Sequence, residues 1–222
     1  MRVAILQPTY WARAHVWNRV LRADAFVWLD NVKFSRSATK WEDRTIVEAR
    51  DGRAVVLRLP LRGPRSVGWG EAGLNQGWRR HEKTIRQCYA RRPHFGLVES
   101  LLPDVYGPDA QTIEEVCWRT FRKVAEVLRP RCRVLRSSSL GVGSTKGQLV
   151  LDLVRATGGT VYLSGAPGAA YLPRALFEAA GVTVEVQSWK APRTQGGLVN
   201  PSVLHLLACH GREAALASLA GD

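Results

Sequence analysis

The sequence has no apolar run long enough to cross a membrane, and the apolar stretch at its N-terminus, residues 2–6, is too short for the core of a signal peptide. We therefore expect a cytoplasmic protein without a membrane partner. Hydrophobic residues make up 45% of the 222 residues, which is typical of a globular chain and excludes a disordered one.

The sequence also lacks closely spaced cysteine pairs. None of the four cysteines lies in a CxxC motif: Cys88, Cys117, Cys132 and Cys209. The pattern predicts neither a zinc ribbon nor a thioredoxin-like site. We expect reduced structural thiols, no metal and no cofactor. The alternative is a nucleophilic Cys88, which lies near His81 and Lys83 in the sequence.

Acidic residues are scarce beside basic ones. There are 19 Asp and Glu residues against 32 Lys and Arg residues, so the formal net charge is +13. Such a surplus favours encounters with polyanions such as nucleic acid or phosphorylated ligands. Because arginine greatly outnumbers lysine, the alternative is that the surplus reflects a genome of high GC content.

Polar residues follow two predicted strands within the first 44 residues. A strand over residues 2–6 leads to a turn, a helix over residues 10–24 and a second strand over residues 26–29. In open α/β sheets, ligands bind beyond the carboxyl ends of the strands. The sequence therefore predicts a site that includes Gln7, Tyr10, Asp30, Asn31, Lys33, Trp41 and Arg44.

His15 lies on the helix predicted over residues 10–24, about one turn from Asn18. One interpretation is a packing or capping role. The other is catalytic, because its place after a first strand and a proline-containing turn resembles the histidine signature of class I nucleotidyl transferases and synthetases. In those enzymes an imidazole stabilises phosphate charge in the transition state.

The middle of the chain predicts a β-hairpin, a flexible loop and a basic helix. Asp51-Gly52 separates two β-rich runs, and a glycine-rich loop extends to residue 77. The helix over residues 78–89 has basic residues beside aromatic ones, which favours phosphate or RNA binding; the alternative is a solvated face over a core stripe. The candidate contacts are Arg36, Lys40, Trp78, Arg79, Arg80, His81, Lys83 and Arg86.

The C-terminal part predicts a parallel sheet. A strand at residues 160–163 is followed by a turn of small residues, a helix over residues 171–180 and a strand at residues 182–186. Ser164, Gly165 and Gly168 in the turn form a second candidate site, because small residues let a ligand approach the backbone; the alternative is a plain tight turn. We expect one α/β domain over residues 1–222, with a Rossmann-like, mostly parallel sheet flanked by helices and a β-hairpin insertion.

Short motifs along nearly the whole chain resemble the WbqC-like family. They are RVAILQP at residues 2–8, DNVKFS at residues 30–35, WRRH at residues 78–81, YLSG at residues 162–165, Tyr171-Leu172 and Gln187. Members of that family are bacterial and often occur among genes for surface polysaccharides or secondary metabolites. The resemblance implies modification of an amino sugar or similar amine by acyl or aminoacyl transfer, with Tyr171 and Gln187 added as substrate contacts.

The chain departs from the family pattern in its first segment. Ala12, His15 and Val16 stand where the family usually has Pro, Gly and Tyr, and Lys33 replaces a usual Gln. The first pocket is therefore expected to be altered and more positively charged.

The expected function is a transferase that moves a small acyl or aminoacyl group onto an amine, with aminoacyl-tRNA as the favoured donor. Gln7, Asp30 and Ser164 would line the reaction site, and Asp30 or His15 would deprotonate the amine. Phosphates would be held by Arg44, His81 and Lys83. The alternatives are a non-catalytic RNA- or carrier-binding accessory protein and an ATP-using ligase or nucleotidyl transferase. The oligomeric state stays open.

Overall fold

The computed structural model of the chain describes residues 1–35, 41–64 and 66–221. Two predicted phosphate contacts, Arg36 and Lys40, lie outside the described residues. The strands are β1 (Arg2–Leu6), β2 (Ala25–Trp28), β3 (Lys33–Ser35), β4 (Arg44–Glu48), β5 (Ala54–Arg58), β6 (Leu61–Arg62), β7 (Ser66–Gly68), β8 (Gly73–Leu74), β9 (Arg133–Arg136), β10 (Val161–Ser164) and β11 (Thr183–Val186).

Helices form within the ranges predicted at residues 10–24, 78–89 and 171–180, and a further short helix lies in the segment predicted as a turn of small residues. They are α1 (Ala14–Arg22), α2 (Arg80–Tyr89), α3 (Phe95–Glu99), α4 (Leu102–Tyr106), α5 (Ile113–Leu128), α6 (Lys146–Ala156), α7 (Ala166–Ala169), α8 (Arg174–Ala179) and α9 (Val203–Ala220), which kinks at Gly211. Helix α1 begins later than predicted, because Trp11 has a φ of 39° and the backbone at Arg13 is extended. Within the described ranges, no helix is long and apolar enough to cross a membrane.

Five parallel strands form the central sheet in the order β11-β10-β1-β2-β9, which confirms the predicted α/β class. Side chains of β1 alternate between two buried clusters, because successive residues of a strand point to opposite faces. Ala4 packs in the cluster that contains residues of α1, α5 and α9. Val3 and Ile5 pack in the cluster that contains residues of α6 and α8. Helices therefore cover both faces.

The strand order places a topological switch point at β1. From β1 the chain continues to β2 and then β9 on one side, and it crosses back to β10 and β11 on the other. Connections thus diverge at the carboxyl ends of β1 and β10, which leaves a crevice between them. This is where open α/β sheets bind ligands.

Small antiparallel sheets lie outside the central one. The predicted hairpin is confirmed as β4 paired with β5, and its turn contains Gly52 with a φ of 81°, a conformation that favours glycine. The region predicted as a flexible loop differs from expectation. It forms short strands that pair β3 with β7 and β6 with β8, and Trp69 and Leu74 are buried. Burial of these apolar side chains orders the segment.

Candidate functional site

A cavity of about 620 Å³ lies at the switch point, beyond the carboxyl ends of β1, β10 and β11. We call it the switch-point cavity. It brings together residues from both stretches that the sequence singled out. The predicted site residues that line it are Gln7, His15, Trp41, Ser164, Gly165, Gly168 and Gln187.

Other predicted substrate contacts lie elsewhere. Tyr10 is fully buried in the core, where its hydroxyl contacts Nδ1 of His81 at 3.0 Å. Arg44 is buried beside Asp43 and lies over the Trp41 ring, 5.0 Å from the ring centroid. Tyr171 is 89% exposed and is not among the cavity's lining residues, and Lys33 is exposed on β3.

Several side chains of helix α2 and of the turn before it were predicted to bind RNA but are buried or paired with other residues of the chain. Trp78 is fully buried, so its ring is not accessible to a nucleic acid base. Arg79 pairs with Asp109, and Arg86 pairs with Glu82 and Glu99. Burial lowers the pKa of His81 to about 4, which makes it a neutral partner at pH 7. Arg80 and Lys83 are the exposed cations here.

Asp30 lies at the end of β2 in a separate group that we call the Asp30 cluster, formed by Asp30, Glu114, Arg136, Ser137 and Ser138. The Asp30 carboxylate is 6% exposed and accepts hydrogen bonds from Arg136, from the Ser137 hydroxyl and from the backbone and hydroxyl of Ser138, at 2.7 to 2.9 Å. Burial acts to raise the pKa of Asp30, but these donors outweigh it and the pKa lies below its usual value. Such a carboxylate is a weak proton acceptor.

Arg136 connects the two carboxylates of the cluster. Its Nη2 donates to Glu114 at 2.6 Å, and the same Glu114 oxygen accepts from the Trp28 indole at 2.9 Å. The backbone of Asn31, another predicted contact, donates to the Ser137 hydroxyl at 3.3 Å. The cluster therefore joins the ends of β2 and β9, and its polar groups have partners within the chain.

His15 in the switch-point cavity has a defined tautomer. Its backbone N–H donates to Oδ1 of Asn200 at 2.9 Å, which places the amide Nδ2 of Asn200 2.8 Å from the His15 Nδ1. An amide nitrogen can only donate, so Nδ1 accepts and the ring proton of the neutral imidazole is on Nε2. Burial, aided by the charges of Arg19 and Arg13, lowers the pKa of His15 to about 4. At neutral pH, His15 is an uncharged hydrogen-bond donor.

Two arginines on or beside α1 line the same cavity. Arg13 donates to the backbone carbonyls of Asn200 and Val199 and lies over the Trp41 ring. Arg19 is 6% exposed, and its Nε has no hydrogen-bond partner among the described residues. Burial lowers the pKa of Arg19 to about 10, so it stays charged at neutral pH.

Sequence reasoning missed Arg13, Arg19, Glu42 and Asn200. Glu42 is the acidic residue among the described side chains that line the cavity. A signal did exist for Arg19, because it follows His15 by four residues and shares its helix face. Asn200 meets His15 across 185 positions of sequence, and no local pattern predicts that contact.

A family model of the WbqC-like protein family matches residues 7–215. The chain belongs to the WbqC-like protein family. This confirms the resemblance predicted from the short motifs. A comparison with curated protein sequences finds no match.

The region shared with the WbqC-like family begins at Gln7, the first polar residue of the switch-point cavity, and extends past Asn200. It therefore contains the cavity residues from Gln7 to Ala191, together with the Asp30 cluster. Both polar regions belong to the part of the chain that the family describes.

Proposed function

We propose that this WbqC-like protein is a transferase that moves a small acyl or aminoacyl group onto an amine of an amino sugar or secondary-metabolite precursor, in the switch-point cavity. The neutral His15, whose proton is held on Nε2 by Asn200, is the observation that carries the proposal. Acyl transfer develops negative charge on a carbonyl oxygen, and a positioned neutral donor stabilises that charge.

Glu42 is the proposed proton acceptor, in place of Asp30 and His15. Asp30 is saturated with hydrogen bonds outside the cavity, and the Nδ1 of His15 is occupied by Asn200. The amine nitrogen attacks the carbonyl carbon of the donor ester, and its proton passes to Glu42. The ester C–O bond then breaks, and the leaving oxygen takes the proton. An activated ester needs mainly orientation and this one proton transfer.

An aminoacyl-tRNA donor is supported by the net charge of +13. Exposed Arg80 and Lys83 are available to phosphates, whereas Trp78 contributes to the core. We therefore propose that this helix binds nucleic acid through charge alone, without stacking of bases on it.

The proposal can be tested by measuring the transfer of labelled amino acids from a charged tRNA pool. The acceptors to compare are glucosamine and a nucleotide-linked amino sugar. We expect product with the wild type, a loss of about 10²-fold with Glu42→Gln or His15→Gln, and little change with the matched variant Asp30→Asn. Circular dichroism checks that each variant is folded.

Loss of transfer in Asp30→Asn, with full transfer in Glu42→Gln, would move the reaction site to the Asp30 cluster. No turnover with any donor, together with RNA binding that weakens steeply with salt, would support the accessory-protein alternative instead.

The second candidate is an ATP-using ligase or nucleotidyl transferase. The neutral His15 near the charged Arg19 favours it, because the same pair of groups stabilises phosphate oxygens. Release of phosphate or pyrophosphate from ATP and Mg²⁺, dependent on the amine, distinguishes it from transfer out of an ester donor.

A further inference from the structure

We propose that Arg19 anchors an anion subsite of the switch-point cavity, which holds a carboxylate or phosphate group of the substrate. The inference rests on the proposed function only in placing the reaction in the same cavity. It adds that the substrate carries an oxyanion, separate from the reacting amine and ester.

Arg19 is unusual because it is buried and charged, yet no hydrogen bond or ion pair to its side chain is found among the described residues. It is 6% exposed and lines the cavity, yet its buried Nε has no hydrogen-bond partner among the described residues. Buried guanidinium groups are normally paired, since an unpaired buried charge destabilises the fold. A ligand oxyanion that accepts hydrogen bonds from this guanidinium explains why an arginine occupies this buried position.

Arg19 lines the switch-point cavity, whose volume of about 620 Å³ can hold such a group. A methyl group added at Gly165 would lie 3.1 Å from Nη1 of Arg19, so the glycine lets the turn after β10 lie close to the guanidinium without crowding it. Arg13, the other guanidinium of the cavity, already donates to two backbone carbonyls. Of these two guanidinium groups, Arg19 is therefore the one that is available to a ligand.

The geometry also limits how the anion is bound. A guanidinium presents parallel N–H groups that match two oxygens of a carboxylate or phosphate. His15 lies one helical turn before Arg19, lines the same cavity and carries a proton on Nε2. One anion-binding residue and one neutral donor thus act from the same face of α1.

Calorimetric titration with inorganic phosphate and, separately, with acetate tests the subsite at constant ionic strength. The variants are Arg19→Met, which keeps the aliphatic stem, and Arg19→Lys, which keeps the charge but loses the paired N–H groups. Arg22→Met is the matched control, because Arg22 is on the same helix but pairs with Glu185, which keeps Arg2 as a second partner.

We expect saturable millimolar binding to the wild type, as for a single small ion, and unchanged binding to Arg22→Met. Binding should weaken at least about tenfold in Arg19→Met and by a smaller factor in Arg19→Lys. Preference for phosphate or for acetate then identifies which group the substrate carries.

Equal affinity of Arg19→Met and the wild type, or no saturable binding of either ion to the wild type, overturns the subsite. These measurements need no turnover. The subsite can therefore stand if acyl transfer fails, and it can fail while transfer is observed.

Discussion

Two polar regions lie along the same edge of the central sheet, and they differ in how completely the chain satisfies them. In the Asp30 cluster, the Asp30 carboxylate accepts four hydrogen bonds, and Arg136 bridges it to Glu114. In the switch-point cavity, Arg19 is buried with its Nε unpartnered within the described residues. His15 also carries a proton on Nε2.

The difference separates a structural role from a binding role. Polar groups that satisfy one another stabilise the chain and have little capacity left for a ligand. Groups that are buried without partners destabilise the protein until a ligand supplies the missing contacts. The difference supports our proposal that the reaction takes place in the switch-point cavity and that the Asp30 cluster has a structural role.

The largest expected effect is on the stability of the Asp30 cluster. Arg136→Met leaves the buried carboxylates of Asp30 and Glu114 without their shared cation. The free energy of unfolding should fall by about 3 kcal/mol, the lower end for a buried pair because Arg136 is itself 37% exposed. Urea denaturation measures it.

Arg53→Met is the control for this prediction. Arg53 pairs with Asp51 while both side chains are largely exposed, so the loss of stability should be much smaller than in Arg136→Met. Equal effects of the two substitutions would remove the structural role assigned to the Asp30 cluster.

The next effect is on the tautomer of His15. Asn200→Asp replaces the amide donor by a carboxylate oxygen, so Nδ1 of His15 becomes protonated and Nε2 becomes an acceptor. Transfer should fall by about 10²-fold, and the His15 pKa should rise toward its usual value. Nitrogen-15 NMR of the imidazole reports the tautomer, and an unchanged tautomer would contradict the prediction.

How far the sequence predicts the molecule is clear from particular residues. The parallel strands and the turn at Ser164 and Gly165 follow from local patterns of apolar and small residues. The Asp30 carboxylate accepts hydrogen bonds from Ser137 and Ser138, which lie more than a hundred positions away in the sequence. The tautomer of His15 likewise depends on the distant Asn200. Local patterns carry no information on such contacts, so the sequence suggested Asp30 as a base.

Lowering the pH should remove the stability contributed by the two regions over different pH ranges. The folded-state pKa of His15, about 4, lies below its unfolded value near 6.5, so the unfolded chain binds more protons between these values. Stability contributed by neutral His15 is therefore lost as the pH falls from 6.5 to 4, by roughly 2.5 kcal/mol.

Urea denaturation of the wild type and of His15→Gln across this range measures that loss, which should shrink in the variant. The pKa of Asp30 is also lowered, so its contribution is present above its usual value of 3.8 and is lost only at lower pH. Asp30→Asn should leave the loss between pH 6.5 and 4 unchanged. A smaller loss in that variant would contradict the separation.

The smallest expected effect is at Gly165. In Gly165→Ala, the new methyl group meets Arg19 at 3.1 Å, and the guanidinium must move by a few tenths of an ångström. Phosphate or acetate affinity should fall by roughly threefold, within the range of small packing changes. Gly143→Ala, whose methyl group meets no atom within 4 Å, is the control and should bind like the wild type.

The stability of unliganded Arg19→Met tests the central claim most directly, because it needs no knowledge of the substrate. If the guanidinium is kept for a ligand, its removal should raise the free energy of unfolding by about 1 kcal/mol, since an unpaired buried charge is removed. A fall of similar size or larger would contradict the account, because Arg19 would then stabilise the fold by itself.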